Sequence, residues 1–111
     1  MREIAWVKAA LKDFGTFPEA VQDRMKDALA IASAGQKADI AKPMKGLGSG
    51  VFEIALPYRT DAYRAIYAVQ LGDAIWVIHA FQKKSTKGIG TPQKEIELIK
   101  ARLKRLEEML R

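Results

Sequence analysis

Two hydrophobic periods alternate along the chain. Val21, Met25, Leu29 and Ala32 recur at steps of three and four residues while Asp23, Lys26 and Asp27 fall elsewhere, which predicts an amphipathic helix. Thr16-Phe17-Pro18-Glu19 reads as its start, with Thr16 as cap and proline in the first turn, and Gly35 as its stop. Ahead of it, Ile4 to Val7 is apolar enough for a short first strand, followed by a turn around Phe14-Gly15. The stretch from Gln36 to Gly50 contains Pro43, Gly46, Gly48 and Gly50 and reads mainly as connection, with room for a short helix before Pro43.

Strand signals follow at Val51–Leu56, which Pro57 ends, at Tyr63–Leu71 and at Ala74–Phe81. Gly72-Asp73 suits a tight hairpin between the last two. A basic loop from Gln82 to Thr91 leads to a last helix, capped by Thr91 with Pro92 at its first position. Ile96, Ile99, Leu103, Leu106 and Leu110 form a narrow apolar stripe on that otherwise charged helix. The predicted fold is α+β: a small antiparallel sheet, made of an N-terminal strand plus a three-stranded meander, covered on one face by the N-terminal helix and followed by a C-terminal helix. With 111 residues, the chain is expected to be one domain spanning residues 1–111.

Composition narrows the chemistry. There is no cysteine, which removes disulfides, thiolate metal sites and cysteine nucleophiles together. A single histidine, His79, rules out a histidine metal cluster, and no metal or other cofactor is expected. The N-terminus lacks the apolar run of a signal peptide and no later stretch is long enough to span a bilayer, so a cytoplasmic location without membrane contact is expected. The net charge of +6 predisposes the protein to polyanions, because each Lys or Arg that meets a phosphate releases counterions. Gly46-Leu47-Gly48-Ser49-Gly50 has the glycines of a phosphate loop but no following Gly-Lys-Ser/Thr, and a strand rather than a helix comes next.

Period-two alternation places Phe52, Ile54 and Leu56 on one face of their strand and Glu53 on the other, with Arg64 on the same non-core face of the neighbouring strand. Glu53 and Arg64 are therefore expected to pair, or Glu53 to act as a base. Hairpin geometry brings Arg64, near the start of its strand, beside the end of the next, where Lys83, Lys84 and Lys87 follow. A convergent arginine and lysines make a phosphate site, the arginine as a fixed fork and the lysines as mobile charges. Arg59 and Lys45 complete the candidate phosphate-binding set. His79, on the parity of Ile75, Val77 and Phe81, is a candidate general acid or base near the lysines. Tyr58, Tyr63, Tyr67, Trp6 and Trp76 read as core or rim.

Three segments carry a family resemblance: Lys42-Pro43-Met44-Lys45-Gly46-Leu47-Gly48-Ser49-Gly50-Val51-Phe52-Glu53-Ile54, Tyr63-Arg64-Ala65-Ile66-Tyr67, and His79-Ala80-Phe81-Gln82-Lys83-Lys84-Ser85. Together with Trp6, the Phe17-Pro18 helix start and the helix after Thr91-Pro92, they make nearly the whole chain resemble the phage-related HigB-like branch of the RelE/ParE toxin superfamily. The resemblance implies the toxin of a type II toxin–antitoxin system: a metal-independent endoribonuclease that cuts mRNA on the ribosome by 2′-hydroxyl attack. It also implies a cognate helix-turn-helix antitoxin, HigA-like, that masks the basic face. On this resemblance Arg64 stabilises the transition state, while Lys83, Lys84 and Lys87 bind phosphate and one of them donates a proton. Where RelE members carry catalytic lysines on the strand, this chain has Glu53 and Ala55. The general base is then unassigned, with His79 and Glu53 as candidates. Two other classes fit the same fold: a ParE-like gyrase poison without RNase activity, and a non-catalytic phage-derived binding protein.

Overall fold

The computed structural model describes residues 1–84 and 90–110. Eight elements follow in order: β1 (Ile4–Trp6), α1 (Lys8–Phe14), α2 (Glu19–Ser33), β2 (Ala41–Pro43), β3 (Val51–Tyr58), β4 (Asp61–Leu71), β5 (Ala74–Lys83) and α3 (Gln93–Met109). They build an α+β fold around one five-stranded sheet of order β1-β5-β4-β3-β2. No helix among the described residues is long and apolar enough to cross a membrane.

The three long strands form the predicted meander, but the sheet is not antiparallel throughout. β1 runs parallel to β5, with Ile4 opposite Ile75 and Trp6 opposite Val77. Parallel neighbours need a long connection, which the intervening helices and strands provide. The far edge is β2, antiparallel to β3, in a stretch expected to be loop or short helix. Its three residues are too few to show a period, and only pairing with β3 makes them a strand. Pro57 does not end β3. Two residues earlier Ala55 N donates to Ile40 O, so the missing N–H of Pro57 points past the end of β2 and costs no ladder bond.

Helices cover both faces rather than one. Against α1 and α2 lies the larger core, including Phe14, Val21, Met25, Leu29, Ile54, Tyr67, Ile75 and Val77. Against α3 lies a second core, in which Ile99, Leu103 and Leu106 meet Val51, Ile66, Ala68 and Ile78. The face of β3 and β4 expected to be free of core is thus roofed by a helix.

The helix starts also differ from expectation. Thr16 does not cap α2; its hydroxyl donates to Asp13 O at 2.7 Å and closes α1. Neither does Thr91 cap α3, which has no side-chain cap. The short α1, in a stretch where only a turn around Phe14-Gly15 is expected, buries only Ala10 and Phe14, and such a helix forms because tertiary packing holds it.

Ile99 is fully buried between α3 and the sheet. Truncation to alanine should cost about 2–5 kcal/mol, read as a lower urea midpoint with an unchanged slope if α3 unfolds together with the rest.

Candidate functional site

Strand register arranges the polar residues beneath α3 in rows. Lys42, Glu53, Ile66 and His79 lie opposite one another across β2 to β5. The next row is Ala55, Arg64 and Phe81, and the one after is Pro57, Ala62 and Lys83. Glu53 and Arg64 are therefore diagonal neighbours, as are Arg64 and Lys83, a spacing of about 7–8 Å between backbones that long side chains bridge.

Arg64, Glu53 and Thr91 close a triangle. Arg64 Nη1 donates to Glu53 Oε1 at 3.1 Å and to Thr91 Oγ1 at 3.3 Å, and the Thr91 hydroxyl donates to Glu53 Oε2 at 2.5 Å. The Arg64 and Glu53 side chains are only 14% and 17% exposed. This is not the solvated surface pair that costs little to lose: removing either partner leaves a mostly buried charge unmatched. The buried Arg64 Nε has no partner among the described residues. Glu53 and Thr91 thus hold the guanidinium by its Nη1 nitrogen.

His79 is 2% exposed, with both ring nitrogens engaged. Arg102 Nη1 lies 2.7 Å from Nδ1 and also donates to Ile78 O at 3.1 Å. A guanidinium only donates, so Nδ1 accepts, the ring proton sits on Nε2, and Nε2 donates to Glu95 Oε1 at 2.6 Å. His79 keeps the predicted parity with Phe81 but not with Ile75 and Val77, because the ladder slips: Ile66 pairs with His79 but Tyr67 pairs with Val77, leaving Ile78 as an extra residue. Ile75 and Val77 consequently face α1 and α2, while His79 turns beneath α3 and is tied to it.

Lys83 belongs to β5 rather than to a loop, because pairing continues to Ala62. It is half-buried on the Arg64 face, and its Nζ donates to Gly90 O at 3.4 Å. Lys84 is exposed just past the strand and takes the opposite parity, so the two lysines do not converge on Arg64 equally. Arg59 occupies the β3–β4 hairpin tip at the same end of the sheet, at φ 58° and 5.3 Å from the Tyr58 ring centre. Lys45 follows Met44, whose N–H donates to Val51 O, four residues along β3 from the partner of Arg64. That is roughly 13 Å away, outside the cluster. Lys87 lies outside the described residues. Tyr67 is no part of the site: it faces the other core, stacked on Phe52 at 5.3 Å, and burial pushes its phenol up.

The sequence reading missed Thr91, Glu95 and Arg102. Thr91-Pro92 has the form of a helix start, which hides the role of its hydroxyl. Glu95 and Arg102 are seven residues apart on one helix face, a spacing legible only once His79 is known to lie under it.

A double-mutant cycle on Glu53→Ala and Arg64→Ala should return a coupling of about 1–3 kcal/mol, between the surface and fully buried cases. Denaturant midpoints of the four proteins measure it, and additive single effects would show that the pair holds nothing.

No curated protein matches the sequence. Among solved structures, the chain is similar to the isolated E. coli RelE toxin, with a TM-score of 0.62 and 18% identity over 78% of this chain and 89% of that one. It is similar also to a mutant of the E. coli RelE toxin in the free state, with a TM-score of 0.63 and 18% identity over 94% and 96%. That likeness is one of fold. Residues 12–104 match the family described as phage derived protein Gp49-like (DUF891). The chain therefore belongs to the phage-derived Gp49-like family and carries the α+β fold of the RelE toxin.

Proposed function

We propose that the protein is the toxin of a type II toxin–antitoxin system and acts in the cytoplasm as a metal-independent endoribonuclease on ribosome-bound mRNA. A helix-turn-helix antitoxin, HigA-like, would hold it in check. The observation that carries this reading is the clasped guanidinium: on a RelE-like fold, Arg64 is held by Glu53 and Thr91 at the sheet end that also bears Lys83.

In this reading the scissile phosphate meets the guanidinium of Arg64, which stabilises the charge that develops on the phosphorane. Lys83 and Lys84, with Arg59 and Lys87, bind flanking phosphates. The ribose 2′-oxygen attacks phosphorus and the bond to the 5′-oxygen breaks, leaving a 2′,3′-cyclic phosphate and a 5′-hydroxyl. Glu53, whose carboxylate oxygens each keep a free lone pair beside their bonds to Arg64 and Thr91, takes the 2′-hydroxyl proton, and Lys83 supplies one to the departing 5′-oxygen. His79 has neither nitrogen available, so no proton step is assigned to it.

Induced expression in a bacterial host tests this. The wild type should arrest growth with new mRNA 5′ ends at ribosome-occupied codons. Arg64→Ala should abolish both, since losing a preorganised donor to a transition-state oxyanion costs about 10²–10³ in rate. A Lys83→Ala/Lys84→Ala protein should weaken both. Arrest without mRNA cuts but with altered supercoiling would make it a gyrase poison, and unaffected growth would contradict the toxin reading altogether.

A further inference from the structure

A second surface, distant from Arg64, has the features of a docking site. Between α1 and the C-terminal half of α3 runs a groove of about 930 Å³. Trp6 and Trp76 line it beside Leu106, and on its two sides Leu11 and Met109 stand 48% and 65% exposed. Large apolar side chains left uncovered together on a highly charged protein mark an interaction surface rather than chance exposure. On β5, Trp76 lies five residues from the partner of Arg64, about 15 Å along the strand, so the groove is a separate site.

Charge identifies what fits. Lys8, Lys12, Arg102 and Arg105 line the groove, and no carboxylate does among the described residues. Arg102 is already bonded to His79 and Ile78, which leaves Lys8, Lys12 and Arg105 as the cations available to a partner. A second copy of this chain would set these cations against their like. RNA would match the charge but would gain little from Leu11, Leu106 and Met109. A groove between two helices receives a third by ridge-and-groove packing, with apolar anchors at i, i+4 and i+7.

We infer that this groove binds an acidic amphipathic helix of a partner protein, apolar face on the tryptophans and carboxylates on Lys8, Lys12 and Arg105. Resting on the toxin reading above, the partner is the neutralising antitoxin, held at a distance from Arg64 rather than across it.

The test needs only the purified protein, because its two tryptophans both line the groove. The probe is a synthetic helix with leucines at i, i+4 and i+7 flanked by glutamates, titrated while tryptophan emission is followed. A saturable blue shift is expected, with binding at least tenfold weaker for Lys12→Glu/Arg105→Glu and for Leu11→Glu. These positions are exposed, and far-UV circular dichroism confirms that the variants fold. Absence of a shift, equal binding by the variants, or equal binding of a peptide with lysines for glutamates would overturn the inference. Displacement of the peptide by a single-stranded oligoribonucleotide at equal concentration would also overturn it, reassigning the groove to RNA. The Lys12→Glu/Arg105→Glu protein should arrest growth as the wild type does. Failure of the wild type to arrest growth counts against the toxin reading alone, while peptide binding decides the groove.

Discussion

Laying α3 over the sheet removes from water four charged side chains and a histidine that would otherwise be hydrated. Apolar contact at Ile99, Leu103 and Leu106 favours that docking, by about 1.5–3 kcal/mol for each fully buried side chain. Docking is tolerable only if every polar group beneath it finds a partner, because an unmatched buried charge costs more than one such contact supplies. The solution is two local networks. At the helix start Arg64, Glu53 and Thr91 satisfy one another; one to three turns on, Glu95 and Arg102 grip His79 from opposite sides. Among the described residues one group stays outside this closure, the Nε of Arg64. An orphaned donor on a fixed guanidinium costs stability, because nothing replaces its lost hydration.

The long periodic segments were legible from the sequence alone. The α2 stripe, the meander, the α3 stripe from Ile99 to Leu106 and the faces of Phe52, Glu53, Ile54, Tyr63 and Arg64 all follow from spacing, and the structure places them accordingly, while Leu110 at the stripe's end stays exposed. Elements shorter than their own period were not legible. β2 and α1 exist because neighbours hold them, and the parallel pairing of β1 depends on where β5 ends up. The bulge at Ile78 separated His79 from Ile75 and Val77, since one extra residue moves a side chain to the other face. Expecting one covered face also made the Glu53–Arg64 pair look like a surface feature, which burial under α3 corrects.

The two surfaces differ in construction. The Arg64 end is polar and built from strands in fixed register, with Arg64, Glu53 and Thr91 bonded to one another. The groove at the opposite end of α3 is apolar with a cationic rim and asks for cover. Arg102 lines the groove while holding His79, so the helix that roofs the Arg64 cluster also shapes the groove.

The central claim is that Arg64 works on a phosphate attacked by its own 2′-hydroxyl, and the chemistry of the cut ends tests it most directly. Purified protein added to ribosomes stalled on a defined mRNA should give 2′,3′-cyclic phosphate and 5′-hydroxyl termini. Termini carrying 5′-phosphate and 3′-hydroxyl, or intact mRNA with folded protein bound, would contradict the account.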